Sequence, residues 1–116
     1  MSDERTILDY LEDISNAILD IRSFVQDMSA DAFMADKKTV NAVVRSLEVI
    51  GEATGKIPKD IRLEYPDIPW DEIIGMRNRL LHEYFGVDLD IVWQTIQDDL
   101  APLETAIRTM LNELSW

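Results

Sequence analysis

The chain has no cysteine and only one histidine, His82. The first absence excludes disulfides, and the two together leave too few soft ligands for a zinc site within one chain. No apolar run approaches the roughly 18–20 residues that a membrane-spanning helix needs, so no membrane association is expected. The N-terminus, Met1-Ser2-Asp3-Glu4-Arg5, is acidic and has no hydrophobic stretch, which does not read as a secretory signal. No segment alternates with period two, so strands are not expected either. A cytoplasmic protein without a metal or other cofactor is the expectation.

What is present fits one globular domain over residues 1–116, with 47% hydrophobic and 29% charged residues. The formal net charge is −12, the wrong sign for a protein that gains affinity by neutralising phosphates. Its distribution matters more than its total. Residues 1–36 carry nine acidic and two basic groups, whereas residues 37–62 carry six basic groups (Lys37, Lys38, Arg45, Lys56, Lys59, Arg62) and three acidic ones. The acid returns towards the C-terminus. The middle of the chain can therefore present a positive surface within an acidic protein, and the acidic ends suit a basic partner.

Helical periodicity dominates the pattern. Ile7, Leu11, Ile14, Ile18, Ile21, Val25 and Met28 are spaced 4-3-4-3-4-3, a narrow seam that predicts a first helix packed inside a bundle. Ser29-Ala30-Asp31 interrupts it and predicts a capped short turn through Phe33 and Met34. A second long helix is expected from about Asp36 to Lys56, with Val40, Val43, Val44, Leu47 and Ile50 on one stripe and Gly51 at a helix crossing. Pro58, Pro66 and Pro69 mark residues 57–69 as a loop with room for a helical turn at 59–64. The next helix should start near Trp70 and run to Tyr84, with Asp71 and Glu72 at its positive end and Gly86 beyond its other end. Asp88 is then expected to cap a last helix with the seam Trp93, Ile96, Leu100, Leu103, Ile107, Met110 and Leu114, kinked at Pro102. The fold class read from this is all-α, an antiparallel bundle of four to five helices.

Chemistry concentrates in Arg77-Asn78-Arg79-Leu80-Leu81-His82-Glu83-Tyr84. Histidine, with an unperturbed pKa of about 6.5, both accepts and donates protons near neutrality. Guanidiniums, an amide and a phenol beside it are the groups that recognise and orient a phosphodiester. On a helix Asn78 and His82 lie one turn apart on one face, and Arg77 and Tyr84 share an adjacent face, being about 20° apart. The plain alternative is that His82 is a solvated or capping residue near a helix end. If RNA transesterification occurs here, one histidine per chain cannot readily be base and acid at once. A symmetric homodimer with two facing copies of the motif would supply the second group.

Arg77-Asn78-x-x-x-His82-x-Tyr84 resembles the R-x4-H motif, extended by x-Tyr, of the HEPN superfamily and specifically of the HepT-like toxins. Arg45-Ser46-Leu47-Glu48-Val49-Ile50-Gly51-Glu52-Ala53 is similar to that family's second-helix pattern. Tyr65-Pro66-Asp67-Ile68-Pro69-Trp70 with Ile74-Gly75-Met76 resembles its approach to the motif, and Val87-Asp88 through Ile91-Val92-Trp93 the segment after it. The resemblance implies a homodimeric bundle and a metal-independent endoribonuclease acting as the toxin of a toxin–antitoxin pair. By position, His82 would be the general acid/base, Arg77 would bind the scissile phosphate, and Asn78 would orient substrate or catalytic groups. A 2′,3′-cyclic phosphate product is implied. So is a minimal nucleotidyltransferase (MNT) antitoxin that transfers AMP to Tyr84.

Arg79 and Arg45 are further candidates for substrate contact. Glu83 is 100° round the helix from His82 and is expected to point away from the cleft. Glu48 and Glu52 are placed either against Arg77 or against Arg45, and spacing does not choose. Two other readings stand beside the ribonuclease. One is a non-catalytic HEPN module that binds nucleotide or RNA, or recruits a nucleotidyltransferase; the acidic charge favours it. The other is a dimerising helical adaptor, which explains the seams but not the polar motif.

Overall fold

The computed structural model describes residues 6–75 and 89–114. Among them every regular element is a helix: α1 (Ile7–Phe24), α2 (Ala30–Ala35), α3 (Lys37–Lys56), α4 (Lys59–Leu63), α5 (residues 70–75), α6 (Leu89–Asp98) and α7 (Leu100–Leu114). The all-α class expected from periodicity is the observed one.

Each of the first three helices starts at a side chain suited to the task. Thr6 opens α1 with a reciprocal cap: its hydroxyl accepts from the Asp9 N–H, and the Asp9 carboxylate accepts from the Thr6 N–H at 2.8 Å. Ser29 accepts from the Ala32 N–H to start α2, and Asp36 accepts from the Thr39 N–H to start α3. The Thr39 hydroxyl also donates to Asp36, and these Thr39 hydrogen bonds hold the carboxyl below its usual range.

The seam of α1 is buried as expected at Leu11, Ile14, Ile18 and Ile21. The helix ends earlier than the seam, however. Val25 is its C-cap, residues 25–27 form a turn, and Asp27 takes a left-handed conformation with φ 62°. Val25 stays buried because the turn keeps facing the core. Apolar spacing reports burial, which here outlasts the helix.

α3 is the central element. Its buried residues Val43, Val44, Ser46, Leu47, Ile50, Gly51, Ala53 and Thr54 span an arc of about 180° at 100° per residue. A surface helix buries a narrower stripe, so α3 is covered from more than one side. α1 packs along it most extensively and also meets α7, while α2 bridges α3 and α6. The buried Thr54 hydroxyl donates to the Ile50 carbonyl at 2.6 Å, so it costs no unsatisfied group. Arg22 near the end of α1 pairs with Glu104 near the start of α7, as neighbours running in opposite directions would.

Pro102 does not kink a continuous last helix. The helix breaks at Asp99, three residues earlier, into α6 and α7. Proline has no N–H for the carbonyl four residues back, and its ring crowds that carbonyl. The disturbance therefore falls upstream, and Pro102 ends up in the first turn of α7, where a missing donor costs little. Hydrogen bonds from Asp99 N to Thr95 O and from Leu103 N to Asp99 O carry the chain across the break.

Gly55 in the last turn of α3 has nothing within 4 Å of where a Cβ would sit. Glycine costs a helix interior up to about 1 kcal/mol relative to alanine. Gly55→Ala should stabilise the domain by about 0.5–1 kcal/mol, read as a higher urea midpoint at unchanged slope. A loss of stability would mean that this turn needs glycine's backbone freedom.

Candidate active site

The whole motif, with Arg77, Asn78, Arg79, His82, Glu83 and Tyr84, lies outside the described residues, as do Gly86 and Asp88. The structure describes the segments that lead into it and away from it.

The approach is rigidly anchored. Pro69 precedes α5, and its carbonyl accepts the first helical hydrogen bond from the Ile73 N–H at 3.1 Å. Trp70 is buried, and its indole Nε1–H is shared between the Arg62 carbonyl at 2.9 Å and the Tyr65 carbonyl at 3.0 Å. Arg62 in turn donates through Nε to the Ile57 carbonyl at the end of α3. One aromatic side chain thus ties the end of α3, the end of α4 and the following loop to the first turn of α5. Seven residues further along the sequence comes Arg77.

Tyr65 makes a second tie, donating its hydroxyl to Glu113 near the end of α7. That hydrogen bond, with burial and the Glu113 and Glu64 charges, pushes the phenol up to about 12. It therefore keeps its proton, and its role as donor, at neutral pH.

Trp70→Phe keeps an apolar ring and removes the donor. The Arg62 and Tyr65 carbonyls keep the Tyr65 and Ile68 N–H groups as donors, so only the net hydrogen bond of the indole is lost and a cost of about 0.5–1.5 kcal/mol is expected. Chemical denaturation would show the midpoint falling at constant slope, and no shift would mean that water replaces the indole at no cost.

On α3, Arg45 and Glu52 are exposed and Glu48 is half-buried. All three lie opposite the buried arc of that helix, on its outward side. Among the described residues neither glutamate forms an ion pair with Arg45. Of the six basic groups between residues 37 and 62, only Arg62 is drawn partly inward; Lys37, Lys38, Arg45, Lys56 and Lys59 are exposed. The basic stretch does reach solvent, interleaved with Glu48 and Glu52.

Beneath α5 lies a cavity of about 250 Å³. Leu47 and Ile50 of α3, Ile68, Pro69 and Ile73 around the start of α5, and Leu100, Leu103 and Ala106 of α7 form its apolar walls, with Asp67, Glu72, Thr95 and Asp99 around them. No local pattern signals this cavity, because its walls come from positions more than fifty residues apart. The Trp70 anchor was visible only as part of the Pro-Trp approach to the motif. Among the described residues no group of acidic or histidine side chains is arranged to hold a metal ion, and no helix is long and apolar enough to cross a membrane.

A family model described as Ribonuclease HepT-like matches residues 14–110, which include the motif. A Thermococcus cleftensis protein named "Probable ribonuclease HepT" is 46% identical over 101 residues, covering 87% of this chain and 92% of the relative. A Methanocaldococcus jannaschii protein named as a candidate RNase is 43% identical over 111 residues, with 96% of each chain covered. A relative from Caldanaerobacter subterraneus, also named as a candidate RNase, is 40% identical over 104 residues, covering 90% of this chain and 93% of its own. No solved structure matches the chain. With a helical bundle, an R-x4-H-x-Y motif and near full-length relatives, the chain belongs to the HepT-like ribonuclease family of the HEPN superfamily.

Proposed function

We propose that this protein is a metal-independent endoribonuclease, the toxin of a HEPN/MNT pair, acting through Arg77, Asn78 and His82 in a cleft between two copies of the chain. The observation that carries the reading is the intact Arg77-Asn78-x-x-x-His82-x-Tyr84 motif inside the family match. In the proposed reaction the RNA 2′-hydroxyl loses its proton to one histidine and its oxygen attacks the adjacent phosphorus. The bond to the 5′-oxygen breaks, and the second protomer's histidine protonates that leaving oxygen. A 2′,3′-cyclic phosphate and a 5′-hydroxyl result. Arg77 stabilises the charge on the phosphoryl oxygens, which is where preorganised donors act most strongly. Asn78 orients the substrate, and the exposed Arg45, with Arg79, extends the phosphate-binding surface. Transfer of AMP to Tyr84 by a nucleotidyltransferase antitoxin would add negative charge and bulk beside the motif, opposing RNA entry.

The acidic net charge of −12 favours a second reading, a non-catalytic HEPN module that binds nucleotide or RNA or recruits the nucleotidyltransferase. Cleavage of a labelled RNA pool in EDTA, with end-group analysis and with mass analysis of Tyr84, separates the two. Cyclic phosphate ends made in EDTA by protein with an unmodified Tyr84 support the ribonuclease. Intact RNA with the same unmodified protein supports the binding module.

A further inference from the structure

The cavity below α5 has a polarity that the RNA chemistry does not use. Its walls at Ile50, Ile68 and Leu103 are buried, whereas Asp67, Glu72 and Asp99 at its edge are exposed. The space therefore runs from solvent, past three carboxylates, to an apolar floor. Among the described residues no lysine or arginine pairs with any of the three.

That combination selects one kind of occupant. A phosphate or carboxylate is repelled at the rim, which excludes the RNA backbone. A neutral apolar molecule fills the floor and leaves the carboxylates without a counter-charge. A hydrated inorganic cation answers the charge but gains nothing from the walls. A cation carrying an aliphatic body satisfies both, with burial contributing roughly in proportion to the apolar area covered. We propose that this cavity is a binding site for a small alkylammonium ion, its chain against Ile50, Ile68 and Leu103 and its ammonium group among Asp67, Glu72 and Asp99. Partial burial, then the negative charges of Asp98 and Glu72, raise the Asp99 carboxyl above its ordinary range. Pro69 and Ile73 also line the space, so an occupant touches the turn that leads into the motif.

The test is a titration of hexylammonium chloride into the full chain, followed by methyl NMR, with hexanol, hexanoate and N-acetyl-lysine amide run in parallel. Binding is read without RNA, so its failure is separate from any failure of the ribonuclease reading. Saturable shifts at Ile50, Ile68 and Leu103 are expected, with hexylammonium about fivefold tighter than hexanol and hexanoate not binding. In the double variant Glu72→Gln/Asp99→Asn, whose side chains are exposed and not needed for packing, that advantage should vanish while hexanol binding stays the same. Equal affinity for hexanol and hexylammonium would overturn the proposal, as would an amine affinity unchanged in the double variant or no saturable shift at all. Acetyl-lysine amide binding as tightly as hexylammonium would also overturn it, by assigning the cavity to a lysine of a partner protein.

Discussion

His82→Ala should lower RNA cleavage by about 10²–10⁴-fold, the range over which a positioned acid or base contributes. The chain has no second histidine and no cysteine to take over the proton transfers. In a symmetric dimer the substitution removes base and acid together, so the upper part of that range is expected. The unmodified protein should give a bell-shaped dependence of kcat/KM on pH, with one limb for the histidine that must be neutral and one for the histidine that must be charged. His82→Ala should flatten both limbs. EDTA should leave the rate unchanged, since Arg77 rather than a metal ion carries the phosphoryl charge in this proposal. A His82→Ala protein that cleaves within tenfold of the parent would sink the assignment. Arg77→Ala should cost about 10²–10³-fold, the scale seen when one preorganised donor to a developing charge is removed. Because that contact is made to the phosphoryl oxygens as charge builds, the loss should fall more on kcat than on KM.

The candidate site was legible because its chemistry is local in sequence. Arg77, Asn78, His82 and Tyr84 fall within eight residues, and a helical period predicts them on adjoining faces, an expectation that lies outside the described residues. The elements were legible for a similar reason. Ser29 and Asp36 announce their helices by hydrogen bonds to residues three positions on, and the 4-3 spacing of α1 marks the side that Leu11, Ile14, Ile18 and Ile21 bury. Tertiary structure decided the rest. The seam runs on to Val25 and Met28 although the helix stops at Phe24, because the turn buries Val25 as another helical turn would and leaves Met28 half-buried against the core. Pro102 signals a disturbance, but its position does not say that the cost is avoided by starting a new helix at Leu100. The Trp70 anchor depends on carbonyls of Arg62 and Tyr65, which no local pattern points towards it. The cavity needs Leu47 and Leu103 on facing helices, a relation that exists only after folding.

Phe33→Ala should be the most damaging substitution of a single side chain outside the motif, costing about 3–5 kcal/mol. Domains of this kind are stable by only about 5–15 kcal/mol, so much of the folded population at 37 °C is at stake. Phe33 is fully buried and is the largest buried side chain of α2. It packs against the half-buried Trp93 of α6 with ring centroids 5.3 Å apart and the planes tilted by 35°. A helix of six residues is far below the length at which helices persist alone, so tertiary burial holds α2 in place. Removing the ring takes away the transfer energy, leaves a cavity, and breaks the aromatic pair. Phe33→Leu, which refills most of the volume, should recover more than half of the loss. The effect should also be uneven. α2 bridges α3 and α6, and α6 begins just after the motif in sequence, whereas α1 is held by α3 and α7 through contacts that Phe33 does not make. Amide exchange in Phe33→Ala should therefore speed up in α6 before it does in α1. Uniform acceleration would mean that α2 is part of one cooperative unit with α1. A loss below about 1 kcal/mol, smaller than ordinary core truncations, would show that Trp93 closes over the space and that the ring pair is not what joins α2 to α6.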